Sequence, residues 1–208
     1  MGNKLQIIIA AAAFGLTAFA TEASGQTLAA LPASTGPALA VGETKPVPAW
    51  NRFCEQNPAE CTVDLREPET LKLTRQIWQQ IVSVNAQVNA TVRARTDEEH
   101  WGIPDVWGFP TDGFGDCEDY QLLKRRLLAD MGLPRRAMRM TVVIDERGDG
   151  HAVLMIRTDR GDLILDNKLQ SVLPWHQTGY IYIKREGQDG LAWTSLGGAM
   201  SPITTANR

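Results

Sequence analysis

The hydrophobic period of the chain changes near Arg136, and that change does most to limit its fold. On the N-terminal side, apolar residues recur three or four apart; on the C-terminal side they form short runs between turn formers. From Pro68 to about Arg95, Leu71, Ile77, Ile81, Val84, Val88 and Val92 form a stripe with Trp78 beside it, which predicts a long helix. Its many β-branched residues are weak helix formers, so tertiary packing has to hold it. Asp116 to Met131 is a second helix, with Leu122, Leu123, Leu127 and Leu128 on a broad apolar face and Gly132 and Pro134 as its stop. Strands follow at Ala137–Ile144, His151–Arg157 and, after a tight turn at Asp159–Gly161, Asp162–Asp166; Tyr180–Lys184 and Ala192–Trp193 add more. Helices first, then strands with short turns, predict an α+β fold with N-terminal helices packed on an antiparallel sheet. A parallel sheet has no room here for its crossover helices.

The N-terminus carries a different signal. After Lys4, the stretch from Ile7 to Ala20 is apolar and ends in Ala18-Phe19-Ala20, a small-x-small cleavage pattern. This reads as a secretory signal peptide, since the run is shorter than the roughly 20 residues a membrane span needs. Residues 1–20 are therefore expected to be the signal peptide. Residues 21–49, rich in Ala, Gly, Pro, Ser and Thr, are expected to be a flexible leader, and residues 50–208 one domain. The exported product is expected in the periplasm as a soluble protein. The formal net charge is −3; a nucleic-acid surface would be basic, so no nucleic-acid partner is expected.

Export changes how the three cysteines count. Cys54 and Cys61 flank Pro58 in a short segment and suit a local disulfide in an oxidising compartment. Cys117 is left over, in G-D-C-E-D-Y. Asp116 is a good N-cap residue, with Asp119 three positions later resembling a capping box, so Cys117 falls in the first helical turn. Free amides and the positive dipole end lower a thiol pKa there. The hairpin turning at Asp159–Gly161 brings His151 and Asp166 to the same end of adjacent strands. If the helix start meets that end, Cys117, His151 and Asp166 line up as nucleophile, base and orienter. Read one at a time, each has a plainer role: a buried inert thiol, a strand-end histidine, a turn aspartate. One geometric proposal uses all three. Asn167 is a weaker candidate for the third role.

Asp112, Asp116, Glu118 and Asp119 cluster around glycine turns and offer hard oxygen ligands suited to calcium, without the full loop pattern of an EF-hand. The alternative is a solvated acidic turn. Zinc is a poor fit, because no closely spaced cysteine or histidine pair is present. The segment from Glu98 to Gly115 reads as a loop whose aromatics, Trp101, Trp107, Phe109 and Phe114, pack on the body or wall a cleft.

G-D-C-E-D-Y, then G-L-P, G-H-A-V-L and L-D-N, preceded by V-N-A-Q-V-N and W-G-I-P-D-V-W-G-F-P, together resemble the bacterial transglutaminase-like cysteine proteinase family over roughly Trp50 to Arg185. The resemblance implies a papain-like, transglutaminase-like core, with the triad on Cys117, His151 and Asp166. It also implies calcium bound by Asp116 and Glu118 with Asp119 close by, and no organic cofactor. The substrate it implies is an envelope protein such as a large surface adhesin, and the regulator an inner-membrane receptor. The Cys54/Cys61 pair departs from the adhesin-protease pattern. A transamidase or amidase with the same triad, and a non-catalytic periplasmic binding protein, are the alternatives.

Overall fold

The computed structural model describes residues 30–200; the apolar segment 7–20 lies outside them. The N-terminal half contains Gly42–Thr44 (β1), Pro48–Gln56 (α1), Pro58–Cys61 (α2), Arg75–Thr91 (α3), Arg93–Ala94 (β2) and Asp97–Trp101 (α4). Phe114–Gly115 (β3) and Cys117–Asp130 (α5) follow. The remainder is strand: Met138–Ile144 (β4), Gly150–Thr158 (β5), Gly161–Leu165 (β6), Leu173–Pro174 (β7), Ile181–Glu186 (β8) and Trp193–Met200 (β9). Seven strands form one antiparallel sheet in the order β1-β9-β8-β4-β5-β6-β7. β2 and β3 form a separate parallel pair. No described helix is long and apolar enough to cross a membrane.

The strands after Arg136 are where the sequence places them, and the sheet is antiparallel as expected. The first long helix is shorter than expected. It begins at Arg75 because Thr74 caps it, its side chain accepting the Ile77 amide at 3.2 Å. Leu71, taken as part of the helical stripe, is instead bridged to Thr158; its amide donates to Arg157 and its carbonyl accepts from Asp159. Likewise the segment 98–115 is not all loop, since Thr96 and Glu99 form a capping box that starts α4. Cys54 and Cys61 are joined as expected, on two short helices that each have proline in the first turn.

Residues 30–49 are not a flexible leader. Thr35 donates its amide to the Arg160 carbonyl, Ala38 donates to Asp162 Oδ2, and β1 adds an edge strand to β9. Small side chains allow this close lie: Ala38 is buried, and Gly161, at φ +103°, has Thr35 where a Cβ would stand. Alternating residues of β5 therefore face two cores. Leu154 and Ile156 meet the helices with Trp78, Ile81, Leu122 and Leu128. Val153 and Met155 meet Ala38, Ile164, Tyr180 and Tyr182 on the other face. Burial on both faces is why β5 reads as a continuous apolar run.

α5 is pinned to this sheet by a buried ion pair. Arg125 donates to both carboxylate oxygens of Glu186 on β8, at 3.0 and 2.7 Å, and Trp50 Nε1 and the Met140 amide donate to the same carboxylate. With its last lone pairs satisfied, Glu186 stays ionised: burial acts to raise its pKa, but the Arg125 and Arg139 charges hold it below the usual value. The pairing fixes how the N-terminus of α5 meets β5.

Candidate active site

Cys117 opens α5 and its Sγ lies 3.4 Å from the Ala152 amide, which donates to it. The helix start thus meets the end of β5 at the residue after His151. On that strand, His151 Nε2 hydrogen-bonds Asp166 Oδ1 at 2.9 Å, with both side chains almost wholly buried. The register pairs Leu154 with Leu165, so Asp166 is the residue just beyond β6. His151 therefore reaches Asp166 diagonally rather than directly across. By alternation both belong to the sheet face of Val153 and Ile164, while the thiol comes from the helix side. The pairing through Nε2 leaves Nδ1 as the ring nitrogen free to exchange a proton with a nucleophile.

Asp166 is held from several sides. Tyr180 Oη donates to Asp166 Oδ2 at 2.6 Å, and the Lys168 amide donates to Oδ1 at 2.9 Å. Burial acts to raise the Asp166 pKa, but these bonds and the His151 partner bring it below the usual carboxylate value. The Tyr180 ring also packs edge-on against the imidazole, with centroids 5.8 Å apart. Tyr180 was not singled out in the sequence because it stands in an unremarkable G-Y-I-Y run. The partner of Asn167 is on the helix instead, its Oδ1 accepting from Gln121 Nε2 at 3.5 Å.

The thiol is not activated by its helix end in the way expected. Burial, then the Glu118 carboxylate, push the Cys117 pKa well above that of a free thiol, outweighing the dipole. The S–H donates to Glu118 Oε2 at 3.1 Å. Asp116 is the N-cap residue by position, yet its side chain makes no cap bond and accepts the Asp97 amide instead. No capping box is completed, because the Asp116 side chain makes no cap bond, and the Asp119 carboxylate accepts the Gly108 amide at 2.9 Å.

The acidic residues fall into two overlapping groups. Asp97, Asp116 and Asp119 each bring a carboxylate oxygen within 4.8 Å of the others, and Asp116, Cys117 and Glu118 form the second set. Asp97 was missed because it lies before the loop, although T-x-x-E marks its helix start. Asp112 lies elsewhere: it is exposed, pairs with His100 at 2.9 Å and accepts the Phe114 amide. Gly115 is required here, because a Cβ on it would stand 2.7 Å from Asp119 Cβ and Oδ2. Burial raises the Asp119 carboxyl to about 7 and Glu118 to about 9, with the Asp116 charge adding to both. Asp116 Oδ1 is buried without a hydrogen-bond partner. Three convergent carboxylates, one with an idle buried oxygen, fit a hard divalent cation.

The family model for bacterial transglutaminase-like cysteine proteinases matches residues 40–201. The chain belongs to that family. No curated protein sequence matches this proteinase significantly. Among solved structures, Legionella pneumophila LapG aligns at 22% identity and a TM-score of 0.50, covering 72% of this chain and 81% of that one. Its EGTA-treated form aligns at 21% and 0.51, covering 77% and 84%. A calcium-bound form aligns at 20% and 0.46, covering 75% and 92%. The first two share the fold of this proteinase, helices packed on a large antiparallel sheet. The proteinase is an enzyme of the thiol class, and its papain-like core is the architecture expected from the sequence.

Proposed function

We propose that the chain is a periplasmic cysteine peptidase that cleaves a peptide bond in an envelope protein, with Cys117 as nucleophile, His151 as base and Asp166 as orienter. The observation that carries the reading is the buried His151–Asp166 pair, beside which Ala152, the next residue on the strand of His151, donates its amide to the thiol. His151 Nδ1 takes the thiol proton and the thiolate attacks the scissile carbonyl. The Cys117 amide, one of the donors a helix start leaves without an intrahelical partner, faces the developing oxyanion. Collapse breaks the C–N bond, the imidazolium gives its proton to the departing amine, and a thioester remains. Water, deprotonated by His151, then releases the acid and returns the thiol.

Asp97, Asp116 and Asp119 would hold a calcium ion, with Glu118 within reach through Asp116. When bound, the ion supplies positive charge that offsets the carboxylates around the thiol. The substrate class favoured is a large surface adhesin and the regulator an inner-membrane receptor; membership of the family supports this reading.

The test compares the envelope and medium proteins of cells carrying intact protein with those carrying Cys117→Ala. A fragment released only by the intact form supports the peptidase reading. A crosslinked product would move the assignment to transamidase, and identical protein profiles would sink the enzymatic role of Cys117.

A further inference from the structure

We infer that Asn85 and Asn89 are positioning residues that clamp the loop carrying Asp166 and so set where the triad acid meets His151. The inference rests on the triad reading above. Both asparagines lie on α3 four residues apart, hence on one face of the helix. Asn85 Nδ2 donates to the carbonyls of Leu169 at 3.3 Å and Gln170 at 3.0 Å. Asn89 Nδ2 donates to Asp166 at 2.9 Å and Leu169 at 3.1 Å. Each amide thus spends both N–H groups on the loop, and the two side chains share the Leu169 carbonyl.

The residue type matters. The segment 166–170 contains no strand or helix to order it, and β6 ends at Leu165. Its backbone is instead tied to α3, a helix anchored in the core by Val84 and Val88, the residues just before each asparagine. The Asp166 carboxylate is aimed by His151, Tyr180 and the Lys168 amide, and its backbone by Asn89. A shift of the Asp166 carbonyl moves the carboxylate with it. The amide oxygens of Asn85 and Asn89 are both buried without a partner. That is the pattern of side chains kept for their donors: rotating either amide would face its oxygen to a carbonyl, and an aspartate or leucine has no N–H to offer.

The clamp has a readout that a purely structural role would not move. Asn89→Leu fills the space and removes both donors. The rate of Cys117 alkylation by iodoacetamide is measured against pH, well below each variant's melting temperature, for wild type, Asn89→Leu, Asp166→Asn and the double variant. The expected result is alkylation near neutral pH slowed roughly tenfold or more, the scale of a sub-ångström misplacement. The slowing should match that of Asp166→Asn, and the double variant should be no slower than Asp166→Asn alone. If Asn89→Leu fails to fold, Asn89→Ala is read by the same assay. A folded Asn89 variant with the wild-type profile, beside a slow Asp166→Asn, overturns the clamp and leaves the triad standing. If Asp166→Asn itself alkylates like wild type, the triad reading and the clamp fall together.

Discussion

Tyr180 donates a 2.6 Å hydrogen bond to the Asp166 oxygen that His151 does not use. The two donors divide the carboxylate between them, so it can neither rotate nor retreat from the imidazole. Removing the hydroxyl leaves Oδ2 buried and short of a partner, a loss of about 1–3 kcal/mol. Tyr180→Phe should therefore lower kcat about tenfold with KM little changed. Asp166 has a folded pKa below its unfolded one, so its share of stability is present above the unfolded value, near pH 4, and is lost as pH falls through the folded one. Tyr180→Phe raises the folded value, and acid unfolding should begin at higher pH. An unchanged acid-unfolding midpoint would show that the hydroxyl does not hold the carboxylate.

The acid cluster predicts the opposite slope. Asp119 and Glu118 have folded pKa values of about 7 and about 9, both raised by burial first and by the Asp116 charge. A raised carboxylate contributes stability that is full below its unfolded value and lost as pH rises through the folded one. In chelator, the melting temperature should fall between about pH 5 and about pH 9. Calcium should flatten that fall, because its charge replaces the protons. Asp116→Asn should raise stability in chelator at the alkaline end and abolish the response to calcium. Parallel pH curves with and without calcium would remove the metal from this site.

The Cys54–Cys61 bond closes a short loop that joins α1 to α2. Loop-closure entropy puts its contribution at about 2.5 kcal/mol, or about 5–10 °C in a domain of this size. Cys54→Ala with Cys61→Ala should lower the melting temperature by that amount. Adding reductant should bring wild type to the same value and leave the double variant unmoved. A reductant effect as large in the double variant would place the sensitivity elsewhere.

What was legible in the sequence followed from local pattern. The period change at Arg136 gives the strands, and the order Cys117, His151, Asp166 gives the candidate triad, because a hairpin brings its two ends together whatever surrounds it. Tyr180 and Asp97 were not legible, since each reaches the site across a long stretch of chain: Tyr180 through the loop after Asp166, Asp97 through Asp116. The docked strap at residues 30–49 was hidden for a different reason. Alanine, glycine and proline carry no periodicity, yet they are the residues small enough to lie flat on a sheet. The sign of the Cys117 shift was also out of reach, because the helix end is visible in sequence whereas burial beside Glu118 is a tertiary fact.

Lys124 gives the last prediction. It lies on α5 seven residues past Cys117, fully buried, and Nζ hydrogen-bonds none of the described groups; the Tyr120 ring lies 5.9 Å from it. Burial lowers its pKa to about 7, against the pull of the Asp166 charge. Below that value both the folded and the unfolded chain carry the proton, and the cost of burying the ammonium is felt in full. From about pH 7 to the unfolded value near 10.5 the unfolded chain holds a proton that the folded one lacks, so this group's contribution to stability rises with pH. Lys124→Met, similar in length and without the charge, should stabilise the protein by about 1–3 kcal/mol at pH 6. That gain should shrink steadily toward pH 10, as denaturant melts of the two proteins across the range will show. A variant less stable than wild type at pH 6 would mean that the ammonium is compensated in solution, and a gain independent of pH would mean that Lys124 does not titrate within the range.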